Sequence, residues 1–397
     1  MRFRALDGFR GLCALIVALY HFPVENHVLG HRFFLPNGQM LLDFFFVFSG
    51  FLISSAYGDR VKTWKDVGTF AKSRFARLWP LHAAMLAVFV AIETTKAVFL
   101  PHIGTEPPFS GAKTVASIFT NLLLIHSLHI HPMLTWNAPS WTVSVEFFTY
   151  LTFASLVVMW PKRPLATASV MAVVGALGVT LIARKLDANF DYGLLRCFYG
   201  FFCGALTWRL FKAAPFAASG RPVLATALEA VALVGVFAYI VLLGGASFGY
   251  AGPLVFSAFI WLYAAEQGAV TRHLGSPPLV KLGAISYSIY LVHYPIVVTT
   301  ALALRLWEHL SGLHLSAFGY SGLDQMTFIS GPSKLLLDGV MVVYLVVVVA
   351  VATQTFKYIE GPGRTLVNAA FAQIGTLLRA RPIRAFGWRR SHAADVM

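Results

Sequence analysis

The chain is 397 residues long, 57% hydrophobic and only 12% charged, with 34 phenylalanines. That composition excludes a soluble globular domain, and many of its apolar runs approach the ~20 residues that span a bilayer. The formal net charge of +14 invites a nucleic-acid reading, which its distribution along the chain argues against.

The first apolar run, 9–23, holds Arg10 and His21. It ends in Tyr20-His21-Phe22-Pro23 without a small-x-small site, so it does not read as a cleavable signal peptide. An Arg inside a membrane helix costs about 2.5–3.5 kcal/mol on insertion scales, and such a residue is read as functional by default. Their separation of 11 positions turns a helix through roughly 1100°, so both side chains share one face, roughly 16 Å apart. Ala14, Val17 and Ala18 lie between them and predict the wall of a narrow polar slot. Cys13, Cys197 and Cys203 all fall in apolar runs, and their spacing fits neither a disulfide framework nor a zinc site.

Further apolar runs follow at 40–57, 78–99, 141–160, 165–183, 193–211, 224–243, 250–267, 284–306 and 335–356, with a weaker one at 114–127. Ten spans with a cytoplasmic N-terminus place 23 of the 31 Lys and Arg in the inner segments 1–10, 58–77, 161–164, 209–222, 268–282 and 357–397, as the positive-inside rule requires. Making 114–127 a span would put the Arg-rich tail outside, so it reads as a re-entrant or peripheral helix on the outer face. The expected fold is an all-α polytopic bundle, with a membrane domain over 1–364 and a basic cytoplasmic tail over 365–397. The tail run Arg379, Arg381, Arg384, Arg389 and Arg390 reads as a disordered anchor; contact with anionic headgroups is the other reading. No repeat marks an inverted-repeat transporter.

This topology sorts the buried polar residues by depth. His21, Asp43, Glu146 and Arg196 come from four helices at a similar level near the outer surface. A histidine beside a carboxylate is the arrangement of a general base. Helix-packing hydrogen bonds are the plainer alternative, but several ionisable groups at one depth point to function. On the inner side, Arg74 and Arg77 stand at i, i+3 on one helix face, and forked guanidinium donors suit phosphate oxygens. A basic inner mouth and an acid–base layer near the outer one suggest a reaction carried across the membrane.

These motifs, taken in order, resemble the acyltransferase-3 family of integral membrane acyltransferases, from Leu6 to about Arg364. Arg10 and His21 are similar to the family's Arg–ten residues–His signature. Asp43-Phe44-Phe45-Phe46-Val47-Phe48-Ser49-Gly50-Phe51-Leu52-Ile53 resembles its second-helix motif, and Arg74 and Arg77 before Leu78-Trp79-Pro80 its Arg-x-x-Arg element. The segment Trp141 to Leu151, with Trp141, Ser144 and Glu146, the segment Ile285 to Pro295, with His293, and Tyr358-Ile359-Glu360-Gly361-Pro362 complete the series.

The resemblance implies an acyl-CoA donor, acetyl-CoA by default, entering from the cytoplasm. It implies an acceptor hydroxyl on the outer side: exopolysaccharide, O-antigen, a lipid-linked sugar or a small metabolite. Some relatives carry an extra-membrane hydrolase-like domain, and a second step here is expected to need another protein of polysaccharide biosynthesis. The expected home is a bacterial inner membrane, with both termini cytoplasmic.

In this reading Arg10, Arg74 and Arg77 handle the donor, and the pantetheine arm passes Ala14 and Ala18. His21 takes the acceptor proton with Glu146 or Asp43. Ser144, or backbone N–H groups near Ser49-Gly50, face the oxyanion. Trp141, Ser144, Arg196 and His293 are assigned to substrate binding; packing beside Pro295 is the other reading of His293. Direct transfer and a covalent acyl-His relay both remain open. No metal, nucleic-acid partner or further cofactor is expected, and His126, His129 and His131 read as exposed loop histidines. The outer loop 307–334, with Tyr320, Asp324 and Gln325, is the expected reader of the acceptor, or a plain connector. A transporter or flippase for a lipid-linked sugar is the alternative function.

Overall fold

The computed structural model describes residues 2–24, 37–100, 107–184, 188–218, 220–243, 247–321, 324–331 and 333–380. The helices run in order α1 (Arg4–His21), α2 (Leu41–Tyr57), α3 (Trp64–Phe99), α4 (Val115–Leu122), α5 (Trp141–Met159), α6 (Pro164–Leu177) and α7 (Gly193–Ala213). They continue with α8 (Pro222–Leu243), α9 (Gly252–Tyr263), α10 (Ala269–Leu274), α11 (Pro277–Ala284), α12 (Ser286–Ser311), α13 (Lys334–Thr355) and α14 (Gly361–Ala380). The bundle is all-α and polytopic. Outside it, strands β1 (Ser316–Ser321) and β2 (Asp324–Ile329) pair antiparallel, Ser316 opposite Ile329.

Among the described residues, 7 segments are long and apolar enough to cross a bilayer. Three positions of the expected ten fall outside that measure. Charges interrupt α1 (Arg4, Asp7, Arg10) and α7 (Arg196, Arg209), and α9 is short. The 8 residues of α4 rise only about 12 Å, too little to cross a hydrocarbon core of ~30 Å.

Helix α3 begins far earlier than the apolar run at 78–99. A capping box starts it: the Asp66 N–H donates to Thr63 Oγ1, and the Thr63 N–H donates to Asp66 Oδ2 at 2.9 Å. Its 36 residues extend roughly 54 Å. Arg74 and Arg77, expected on one helix face of an inner segment, ride on this helix ahead of its apolar run.

Two glycines set the closest approach in the core. A Cβ on Gly50 would overlap the Phe201 carbonyl, and one on Gly204 the Val47 carbonyl. Helices α2 and α7 thus meet backbone to backbone, as small residues permit in membranes. The three cysteines are buried and free.

Helix α13 passes through a π-helical turn, Phe356–Glu360, into α14. Phe371 on α14 packs against Phe75 at 5.9 Å and lies beneath the Lys72 ammonium. The expected tail is therefore helical as far as Ala380 and docked on α3. The side chains of the Arg379–Arg390 run, and those of Tyr320, Asp324 and Gln325, lie outside the described residues.

Candidate active site

A cavity of about 220 Å³ opens between α1, α2, α3, α5 and α12. Arg10, Arg74, Arg77, Ser49, Glu146, Tyr150, Tyr287 and Tyr290 supply its polar lining, and Phe45, Phe46 and Phe48 much of its apolar wall. Three guanidinium groups share it with one lining carboxylate, that of Glu146.

Each arginine is aimed by neighbours. Arg10 donates from Nη2 to the Gly283 carbonyl at 2.7 Å, pairs with Asp7 at 3.3 Å and lies over the Phe48 ring. Its Nε is buried without a partner. Arg74 donates to the Tyr57 hydroxyl at 3.1 Å and stands over the Tyr57 and Phe70 rings, its Nε also unpartnered. Arg77 pairs with Glu360, whose other oxygen accepts from Ser288 Oγ at 2.7 Å, and lies over Tyr287. Guanidinium groups stacked on rings keep donors directed into the cavity. A buried N–H without a partner marks a place for an acceptor, and phosphate oxygens are such acceptors.

Glu146 accepts from Ser49 Oγ at 2.6 Å and from the Tyr150 hydroxyl, and Ser49 lies 2.7 Å from that hydroxyl. Glu146 and Tyr150 are one helical turn apart on α5, so they share a face. The expected partnership of Glu146 with His21 is replaced by this cluster among the arginines.

His21 ends α1. Its Nδ1 lies 2.9 Å from the Val17 carbonyl. A carbonyl only accepts, so Nδ1 carries the hydrogen and Nε2 the lone pair. His293 on α12 repeats the arrangement: Nδ1 is 3.3 Å from the Ile289 carbonyl, and Nε2 is buried without a partner. The two rings are 5.0 Å apart. Tyr290, a cavity wall residue, stands 5.8 Å from the His293 ring. One continuous line of side chains thus joins the arginine cavity to His21. Ile329, at the end of the β1–β2 hairpin, donates its N–H to the Pro23 carbonyl at 2.8 Å, just past His21.

Several expected positions lie elsewhere. Asp43 receives Arg196 at both oxygens, 2.8 and 3.0 Å. It is a buried ion pair across the α2–α7 contact, not the partner of His21. Trp141 covers that pair, its ring 5.9 Å from Arg196 and packed on Phe46. Ser144 donates to the Leu124 carbonyl at 2.6 Å and accepts from the Ser127 N–H, which pins the loop after α4 and removes Ser144 from the oxyanion role. Ser49 and Gly50 lie inside α2, where helical bonds occupy their N–H groups. Ala14, Val17 and Ala18 are packed shut, and the Tyr344 hydroxyl donates to the Ala18 carbonyl. The cavity follows α2, α5 and α12 instead of a slot along α1.

His126 stacks on His82, His129 meets the Tyr192 ring, and His131 Nε2 lies 2.7 Å from Thr120 Oγ1. The three histidines therefore turn to three different partners, and His126, expected to be exposed, is buried against His82.

Ser49, Tyr150, Ser288, Tyr290 and Glu360 carry geometry to which sequence reasoning gave no side-chain role. Only Tyr150 left a local signal, its i, i+4 spacing from Glu146. The others depend on contacts between distant helices.

An "Acyltransferase MdmB" of Streptomyces mycarofaciens is 28% identical over 161 residues, 38% of this chain and 38% of that protein. "Protein 2 in picA locus" of Rhizobium radiobacter is 26% identical over 196 residues, 46% of this chain and 94% of that protein. The "O-acetyltransferase OatA" of Staphylococcus aureus is 23% identical over 332 residues, covering 74% of this chain and 50% of that protein. The chain thus spans half the length of that last relative and less of the first. No solved structure matches. The acyltransferase-3 profile, described as an acyltransferase domain, matches residues 3–353. Nearly the whole described bundle falls inside that match, and the chain belongs to the acyltransferase-3 family.

Proposed function

We propose that this membrane acyltransferase moves an acetyl group from acetyl-CoA to a hydroxyl of an extracytoplasmic glycan, with His21 as the general base. The carrying observation is the cavity itself: Arg10, Arg74 and Arg77 share one chamber, and Tyr290 and His293 link its wall to His21. The donor's phosphates sit among the arginines, at the end of the bundle where basic loops gather. By the positive-inside rule that end is cytoplasmic, and the family match is consistent with a bacterial inner membrane. The thioester reaches past Tyr290 towards the histidines.

The acceptor hydroxyl gives its proton to His21 Nε2 as its oxygen attacks the thioester carbonyl carbon. The carbon–sulfur bond breaks, and the departing thiolate takes the proton back from His21. The Nδ1–H bond to Val17 holds the ring in the tautomer this requires. A glycan on the outer side meets His21 near Pro23 and the hairpin.

The test is glycan analysis of a strain lacking the protein, complemented with the wild type or with His21→Ala. The wild type restores O-acetyl groups and His21→Ala does not, while polymer export stays normal in both. Failed export would favour a transporter, and O-acetyl groups retained in the deletion strain would sink the proposal.

A further inference from the structure

A second chamber, about 590 Å³ in volume, lies at the C-terminal ends of α2 and α5, beyond the residues of those helices that line the arginine cavity. Its walls come from the ends of α2, α5, α6 and α7 and from the α2–α3 and α5–α6 connections. Both connections belong to the basic end of the bundle. The volume falls within the roughly 300–1,000 Å³ of small-molecule sites.

The chamber is divided by polarity. Phe153, Leu156, Val157 and Phe202 form an apolar floor, and Trp160 stands half exposed at the mouth. An amphipathic ring at that level is the usual marker of a membrane–water interface. Lys62 and Arg209 hold the rim. Asp59 is the lining acid; it pairs with Lys212 at 3.1 Å, and that bond holds its carboxyl below the usual range. Arg209 Nη1 is 3.8 Å from Asp59, beyond hydrogen-bonding reach. Deeper in, the Ser54 hydroxyl lines the chamber and is buried without a hydrogen-bond partner.

We infer that this chamber binds an anionic phospholipid of the surrounding leaflet. Its phosphate meets Lys62 and Arg209, its glycerol ester oxygens meet Ser54 Oγ, and one acyl chain lies along Phe153, Leu156 and Phe202. An uncharged amphiphile leaves the basic rim with the Asp59 carboxylate as its one lining acid. A free phosphate leaves the apolar floor and Ser54 empty. The site is separate from the acetyl-transfer machinery, so its failure or success stands apart from the reading of His21.

Native mass spectrometry of the delipidated full chain tests this, with phosphatidylglycerol and phosphatidylcholine of identical acyl chains. The wild type retains phosphatidylglycerol preferentially. Lys62→Gln and Arg209→Gln each reduce that retention roughly fivefold, near what one basic residue contributes at an anionic surface, and reduce retention of phosphatidylcholine, whose choline cation offsets its phosphate, by less. Ala168→Phe, which fills the floor, reduces retention of both lipids, and Ser54→Ala serves as a variant gentle to folding that weakens both. Equal retention of the two lipids by the wild type overturns the inference. So does displacement of phosphatidylglycerol by millimolar inorganic phosphate, which would identify a phosphate site alone.

Discussion

Arg77 and Glu360 are 283 positions apart in the chain and form one ion pair at the wall of the arginine cavity. Ser288 donates to the second oxygen of Glu360. Three separate sequence landmarks, on α3, α12 and the π turn after α13, therefore converge on a single carboxylate. Among membrane helices such a pair fixes how neighbours approach, and it holds the Arg77 guanidinium in place at the cavity wall.

Glu360→Gln should weaken CoA binding roughly tenfold and lower the melting temperature, since removing one partner of a buried pair costs on the order of 3 kcal/mol. Pairing Glu360→Gln with Arg77→Gln should cost less stability than the sum of the two changes. Strictly additive melting shifts would show that the pair is not coupled.

Arg10→Ala and His21→Ala should fail differently. The first removes a charge-assisted donor and should weaken CoA binding by roughly 10–100-fold. The second should leave CoA binding near wild type and slow acetyl transfer by roughly 10²–10⁴-fold. Calorimetric CoA titration beside a transfer assay separates them. Equal loss of donor affinity in both would undo the division of labour.

His293→Gln should lower turnover roughly tenfold at unchanged donor KM and displace the acidic limb of the pH–rate profile, because a second imidazole stands 5.0 Å from His21. A profile identical to wild type, with only a lower melting temperature, would reduce His293 to a packing residue.

Asp43→Asn should act on folding rather than on chemistry. Loss of the carboxylate charge beside buried Arg196 should cost on the order of 3 kcal/mol of stability, while transfer per folded molecule stays within about threefold of wild type. A well-folded Asp43→Asn protein without activity would return Asp43 to the reaction.

The loop after α4 carries a pH dependence. Burial, with His82 stacked alongside, pushes His126 down to about 3, against roughly 6.5 for an unfolded histidine. Above pH 6.5 the ring is neutral in both states. As pH falls from there, the unfolded ring takes a proton that the folded one refuses, so stability declines towards pH 3. Melting curves between pH 7.5 and 5 should show the decline, and His126→Gln should make it shallower. Parallel slopes for the two proteins would assign the decline to another group.

Hydropathy and charge made the polytopic helical architecture legible, because the cost of burying charge and unpaired backbone in lipid leaves few alternatives. The arginines of the cavity were also legible, since Arg10 and the Arg74/Arg77 pair are costly or clustered wherever they occur. Depth alone misled the reading of Asp43. It shares a level with His21, but rotation about α2 turns it to Arg196 on α7. Glu146 similarly turns to Ser49 and Tyr150.

The sequence by itself determined which apolar segments are helical, which end of the bundle is basic, and that one arginine, Arg10, and one histidine, His21, share the first helix. Those properties follow from local composition and from the 3.6-residue period. Only the tertiary structure decided the partners: Arg77 with Glu360, Asp43 with Arg196, His21 with His293, and the route of the cavity along α2, α5 and α12. Such pairings depend on the rotation and close approach of whole helices, set by contacts like Gly50 on Phe201 and Gly204 on Val47. No local pattern in one segment carries that information.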